Sequence, residues 1–185
     1  MKSIYLSEVI HELAAYSEKV KEAELQEMLA AIHKADIIFV AGTGRSGFVA
    51  RAFANRLMHL GFHVYFVGEP TTTCIEENDL LILLSGSGNT ASLVSMAEKA
   101  KSLKAHLATI TIFPENKIGT LADTIIALPG TSMKSQDGSQ LTSIQMSGSL
   151  FEQLAWLVCD TLVLMLMNDT KQTSEDLFKR HANLE

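Results

Sequence analysis

Two short segments bring glycine and hydroxyl side chains together: Gly42-Thr43-Gly44-Arg45-Ser46-Gly47 and Ser85-Gly86-Ser87-Gly88-Asn89-Thr90. Glycine lets a backbone come close to a ligand, and the bare N–H groups of a following helix attract an anion. The second segment says more. Ser85, Ser87 and Thr90 supply hydroxyls, while Gly86 and Gly88 leave room. Asn89, Thr90, Ala91 and Ser92 open a helix whose unpaired N–H groups and positive dipole end face the same ligand. Such a loop holds a phosphate without a lysine. A Walker A loop is excluded, because Gly-Lys-Ser/Thr occurs nowhere in the chain. The plainer account is a tight turn with a good cap, but so many small and hydroxylated residues after a buried strand favour the anion site.

The first segment fits G-x-G-x-x-G, and Glu69 follows Gly47 by 22 residues, where an acidic side chain meets a ribose hydroxyl in dinucleotide sites. A small dinucleotide-binding protein is therefore a competing reading. Two features weigh against it: the chain is short for a cofactor domain plus a substrate domain, and a dinucleotide needs no second Gly/Ser loop. Gly44, Ser46 and Gly47 suit contacts to sugar hydroxyls through side chain and backbone. Arg45 suits either a phosphate or sugar oxygen, or an ordinary surface pair.

The titratable candidates lie elsewhere. Glu152 opens a long apolar helix beside Phe151 and Leu154, after a polar loop. Partial burial there suits a carboxylate that takes and returns a proton; an ordinary helix-surface glutamate is the plainer account. His59, near the end of the helix after the first loop, and His181, near the C-terminus, are second candidates for proton transfer. Structural or surface roles are the plainer account of both. No ligand spacing points to a metal.

The elements that must position these groups follow from periodicity. Of 185 residues, 47% are hydrophobic and 19% charged, an ordinary globular composition. Fifteen Lys and Arg against 21 Asp and Glu leave a net charge of −6, which disfavours a nucleic-acid partner. Cys74 and Cys159 form no metal or redox motif and read as reduced thiols. Glu8, His11 and Glu12 interrupt any signal-peptide core, and the apolar stretch Leu154–Met167 is short for a bilayer and carries Asp160. The expectation is a cytoplasmic protein with no membrane partner.

Residues 1–34 carry a helical apolar stripe without Pro or Gly, which predicts an N-terminal helical arm. Short apolar runs at Ile37–Ala41, Val64–Val67, Leu80–Leu84, Leu107–Ile112 and Thr124–Leu128 alternate with helical patterns. They predict an α/β fold with a five-stranded parallel sheet sandwiched by helices, a flavodoxin-like three-layer arrangement. The βα core spans 35–130. Right-handed crossovers then place both Gly-rich loops on the same sheet edge. A polar loop, Thr131–Gln140, reads as mobile. C-terminal helices fill 142–185: a long one from about Ser143 to Asn168, and one at Ser174–Glu185 capped by Ser174.

The two Gly-rich loops, each after a strand, resemble those of the sugar isomerase (SIS) domain family. Arg56-Leu57-Met58-His59-Leu60-Gly61, Val67-Gly68-Glu69, Phe151-Glu152 and the terminal Arg180-His181-Ala182-Asn183-Leu184-Glu185 extend the likeness to the 6-phospho-3-hexuloisomerase group over nearly the whole chain. Cys74 departs from that pattern, where relatives are expected to carry Pro or Ala. The resemblance implies one SIS domain over 1–185 and a phosphosugar substrate. It implies conversion of D-arabino-3-hexulose 6-phosphate to fructose 6-phosphate through a cis-enediol. That is the second step of the ribulose monophosphate route for formaldehyde, after 3-hexulose-6-phosphate synthase. It further implies Glu152 as the base, no cofactor, and a homotetramer with sites near subunit boundaries. A non-catalytic phosphosugar-sensing module, or an isomerase of another phosphosugar, is the alternative.

Overall fold

A computed structural model describes residues 3–131 and 142–184. Apart from Thr131, the polar loop Thr131–Gln140 lies outside the described residues. Five strands form one sheet: β1 (Ile38–Gly42), β2 (Val64–Phe66), β3 (Leu80–Leu84), β4 (His106–Thr111) and β5 (Thr124–Ala127). All pairings are parallel, in the order β2-β1-β3-β4-β5, with Gly42 beside Leu84 and Leu84 beside Ile110. Among the described residues seven helices accompany them: α1 (Ile4–Ser17), α2 (Glu22–Lys34), α3 (Gly44–His59), α4 (Ala91–Ser102), α5 (Lys117–Leu121), α6 (Ser149–Thr170) and α7 (Ser174–Phe178). This is the expected α/β sandwich.

The alternation of strand side chains divides the core in two. Ile38, Val40, Leu80, Ile82 and Leu84 face a layer made by α2, α3 and α6. Phe39, Ala41, Leu81 and Leu83 face α4 and Ile118 of α5. After β1 the chain steps outward to β2, then returns to the other side of β1 as β3. The direction of winding therefore switches between β1 and β3, where open parallel sheets leave a crevice at the carboxyl ends of their strands. The two Gly-rich loops follow these two adjacent strands.

Three boundaries differ from the sequence reading. The N-terminal stripe is two helices. Ser17 Oγ donates back to Ala14 O at 2.8 Å, a side-chain bond that competes with the helical ladder, and the chain turns before α2. Helix α2 buries Leu25, Met28, Leu29 and Ile32 in the core, whereas α1 has no buried residue. Helix α6 begins at Ser149 rather than Ser143. Gly148 sits at φ 95, which helical backbone does not adopt, and the Ile144 N–H is taken by the distant Glu12. Helix α7 is capped by Thr173, not Ser174, through a capping box with Asp176, and it stops at Phe178. The residues beyond fold back instead: the Arg180 guanidinium donates to His59 O (2.9 Å) at the carboxyl end of α3.

Helix α6 has 22 residues, and an 18-residue window within it has a mean hydropathy of 1.7, long and apolar enough by those measures to cross a bilayer. Half of that apolar window is buried within the fold, where Leu150, Phe151, Leu154, Val158, Leu162 and Leu166 join the core.

Candidate functional site

A cavity of about 220 Å³ opens at the carboxyl ends of β1 and β3. Its floor is Leu84, Ser85, Gly86 and Ser87, with Ile112 and Phe151 beside them. Thr43 and Ser46 enter from the first Gly-rich loop, Thr90 from the second, and Ser147, Gly148 and Glu152 from the start of α6.

Thr43, Thr90 and Gly148 are the N-cap residues of α3, α4 and α6, and no side-chain cap bond is formed at any of the three. Three helices thus point unpaired N–H groups towards one space. Neither α3 nor α4 carries an acidic residue in its first turn. Helix starts of this kind bind anions through backbone donors and the dipole.

The second loop is built to hold this shape. Gly88 N–H donates to Ser85 O (3.1 Å), and Gly88 adopts φ 62, the left-handed region that glycine enters freely. The Asn116 amide donates to Ser87 O at 2.9 Å, and Asn89 Oδ1 accepts from Lys117 N–H at 3.2 Å. At the first loop, a Cβ on Gly47 would lie 2.8 Å from Gly42 O. Glycine is therefore what lets α3 start so close to β1.

Ser85 is 4% exposed, and its Oγ has no hydrogen-bond partner among the described residues. A buried hydroxyl left unpaired costs stability, and this one borders the cavity.

Among the described residues Glu152 is the charged residue in the cavity lining. Its carboxylate pairs with the Arg45 guanidinium from the first loop, with the Glu152 side chain 15% exposed and that of Arg45 67% exposed. The structure therefore brings Ser46, Ser85, Gly86, Ser87, Thr90 and Glu152 together around one space, with Arg45 attached through Glu152. Gly44, Gly47, Gly88, Asn89, Ala91 and Ser92 shape the loops and helix starts behind that lining. Glu69 is not presented for a ribose: it pairs with Arg51 at 2.6 Å, and Arg51 lies over the Phe66 ring.

The lining also includes Thr43, Thr131, Ser147 and Gly148, which the sequence reading did not single out. For the last two a signal existed. Ser147-Gly148-Ser149 is a run of cap-forming residues ahead of an apolar helix.

His59 and His181 stand apart from this cavity within one chain. They stack on each other with ring centroids 5.2 Å apart, at the opposite end of α3, which is about 22 Å long. His59 is buried. Burial first, then the facing His181 and Arg56, holds its imidazole below the ordinary value of 6.5.

A larger hollow of about 940 Å³ lies at the amino ends of the strands. Two of its carboxylates serve the backbone: Asp79 accepts from Ile37 and Glu76 N–H, and Asp123 from Leu107 N–H.

Comparison with known proteins agrees with this geometry. Residues 31–156 match the SIS domain family model. A 3-hexulose-6-phosphate isomerase of Bacillus subtilis (strain 168) is 46% identical over 184 residues, covering 98% of this chain and 97% of that protein. One from Mycobacterium gastri is 40% identical, over 97% of this chain and 89% of that protein. A crystal structure from Methanococcus jannaschii, from which a molecular function of 3-hexulose-6-phosphate isomerase was inferred, matches with a TM-score of 0.81. It is 34% identical, over 98% of this chain and 99% of that one.

Two outcomes are expected. Ser85→Ala removes an unpaired buried hydroxyl, so the ligand-free variant should be more stable than wild type, by about 1 kcal/mol. Inorganic phosphate should raise its melting temperature less than it raises that of wild type. The second concerns pH. Because the folded pKa of His59 lies below its unfolded value, its contribution is complete above about pH 6.5 and falls as the pH drops through the folded pKa. The urea midpoint should fall between about pH 7.5 and about pH 5.5. In His59→Asn that fall should be smaller, the remainder including His106, whose imidazole burial also holds low.

Proposed function

From the premise that the chain belongs to the SIS domain family, we propose that it is a phosphosugar isomerase converting D-arabino-3-hexulose 6-phosphate to fructose 6-phosphate. The observation that carries this reading is the meeting of Glu152 with three uncapped helix starts and the unpaired Ser85 hydroxyl around one cavity. The 46% and 40% identical relatives with that activity support the choice of sugar.

The phosphate is held by the N–H groups and hydroxyls of Ser85–Thr90. Binding energy from this remote group fixes the sugar chain against Glu152. Moving the carbonyl from C3 to C2 requires the C2 proton to leave and a proton to arrive at C3. The Glu152 carboxylate takes the C2 proton. The C2–H electrons form the C2–C3 double bond of a cis-enediol(ate), and negative charge gathers on O3. The Arg45 guanidinium, already in contact with Glu152, is the nearby cation for that charge. The protonated Glu152 then returns its proton to C3 while the O2 proton passes to O3, leaving the ketone at C2. One base on one face of the enediol serves both transfers. Ser46 and the Gly44–Gly47 backbone contact sugar hydroxyls.

The same reading includes self-association as a homotetramer in the cytoplasm, supplied by 3-hexulose-6-phosphate synthase. Exposed apolar side chains support the association: Ile4, Tyr5, Leu6 and Ile10 on α1, with Trp156, Leu157 and Leu164 on α6. With His59 and His181 distant from the cavity in one chain, any catalytic role for them falls to a neighbouring subunit.

The test is fructose 6-phosphate formation by the purified protein, wild type and Glu152→Gln. The variant should lose about a hundred- to ten-thousandfold in kcat, with phosphosugar binding kept within a few fold. Phosphosugar binding by a wild type that turns nothing over would instead support the sensing alternative.

A further inference from the structure

Helix α1 has no buried residue, yet it is tied to the segment that leads into the cavity. The tie is the half-buried Glu12. Its Oε1 accepts from Ile144 N–H at 2.9 Å, and its Oε2 accepts from Gln145 Nε2 at 2.8 Å and Ser143 Oγ at 3.2 Å. One turn on, the Tyr16 hydroxyl donates to Thr142 O at 3.0 Å. Ser143 Oγ in turn accepts from Gln145 N–H, and Ser149 N–H closes onto Met146 O. Residues 142–146 are thereby fixed from outside their own stretch of chain. The next two residues, Ser147 and Gly148, line the cavity, and Glu152 is one helical turn further. Within α6, Glu152 N–H donates to Gly148 O at 3.0 Å, so the placing of Gly148 sets the first turn that carries the carboxylate.

We infer that Glu12 is a positioning residue for the reaction, acting from α1 through the 142–148 strap to set Ser147, Gly148 and Glu152 against the ligand. Burial alone would raise the Glu12 carboxyl; its Gln145, Ile144 and Ser143 donors outweigh that and hold it below the ordinary value, the ionised form this tie requires. Of the three helix starts around the cavity only that of α6 hangs on the tie; the Ser85–Thr90 loop follows β3 and is bonded to Ile110, Ile112, Asn116 and Lys117, not to the strap. Loss of Glu12 therefore acts on turnover rather than on binding.

The kinetic part rests on the isomerase reading; a second readout does not. Glu12→Ala, Glu12→Gln and, as a control on the same helix, Glu8→Ala are compared with wild type by steady-state kinetics and by amide hydrogen exchange over residues 143–149. Glu12→Ala should lower kcat about tenfold or more with KM within about threefold, because small misplacements of a base are costly in rate. It should also speed exchange of the strap amides about tenfold or more. Glu12→Gln keeps an acceptor for Ile144 and should fall between the two, while Glu8→Ala should match wild type. Unchanged strap exchange, or faster exchange with unaltered kcat, overturns the inference. So does a lowered melting temperature with normal turnover per folded molecule. A wild type without turnover overturns the isomerase reading instead, and the exchange data still decide whether Glu12 holds the strap.

Discussion

Three helix N-termini left without side-chain caps around one cavity are the constraint on which the rest of this molecule depends. Each uncapped end leaves backbone N–H groups unpaired, and a fold does not leave such donors idle without cost. Here Thr43, Thr90 and Gly148 leave the donors of α3, α4 and α6 facing a common space, and Ser85 adds a buried hydroxyl with nothing to bind among the described residues. Helices α2 and α5 also lack a side-chain cap, while α7 is closed by a capping box and α1 by Ser3; what sets α3, α4 and α6 apart is that their starts share one cavity. The sheet order makes the convergence possible. Because winding reverses between β1 and β3, their following loops diverge to opposite faces and leave a crevice between them. A molecule of net charge −6 can then hold an anion by local dipoles against its own overall sign.

Glu152 reaches this crevice from far along the chain. Arg45 and Glu152 are 107 positions apart, and their pairing joins the first Gly-rich loop to the start of α6. Helix α6 brings Glu152 there because its apolar face packs on the sheet layer shared with α2 and α3. Phe151 lies on that buried side, against Gly86, where any Cβ would meet its ring at 3.0 Å. Gly86 of the second Gly-rich loop and Phe151 beside Glu152 are thus fitted to each other, which ties the position of the carboxylate to that of the loop. Helix α1 adds only the partly buried Leu13 and Tyr16 to this packing and no fully buried side chain; its Glu12 carboxylate makes the hydrogen bonds to Ser143, Ile144 and Gln145.

Much of this was legible in the residues. The run LLILL matches β3 residue for residue, because an uninterrupted apolar run flanked by polar residues suits a strand buried on both faces. The two Gly-rich loops and Glu152 were equally visible, since their composition has few other uses after a buried strand. What was not legible depends on contacts distant in sequence. Gly148 interrupts the helical pattern at φ 95, a conformation that glycine permits but does not announce, and the segment ahead of it is held by Glu12, more than 130 positions away. Likewise Arg180 and His181 suit a helix by type, but Arg180 is drawn to the carboxyl end of α3. The split between α1 and α2 occurs without Pro or Gly, and only the Ser17 hydroxyl hints at it.

The most direct test of the account is a crystal structure of the Glu152→Gln variant with fructose 6-phosphate bound. The phosphate should lie on the N–H groups and hydroxyls of Ser85–Thr90, with C2 and C3 of the sugar within about 3.5 Å of the side-chain amide at position 152. A phosphate bound away from that loop, or reacting carbons turned away from position 152 in every subunit, would contradict it.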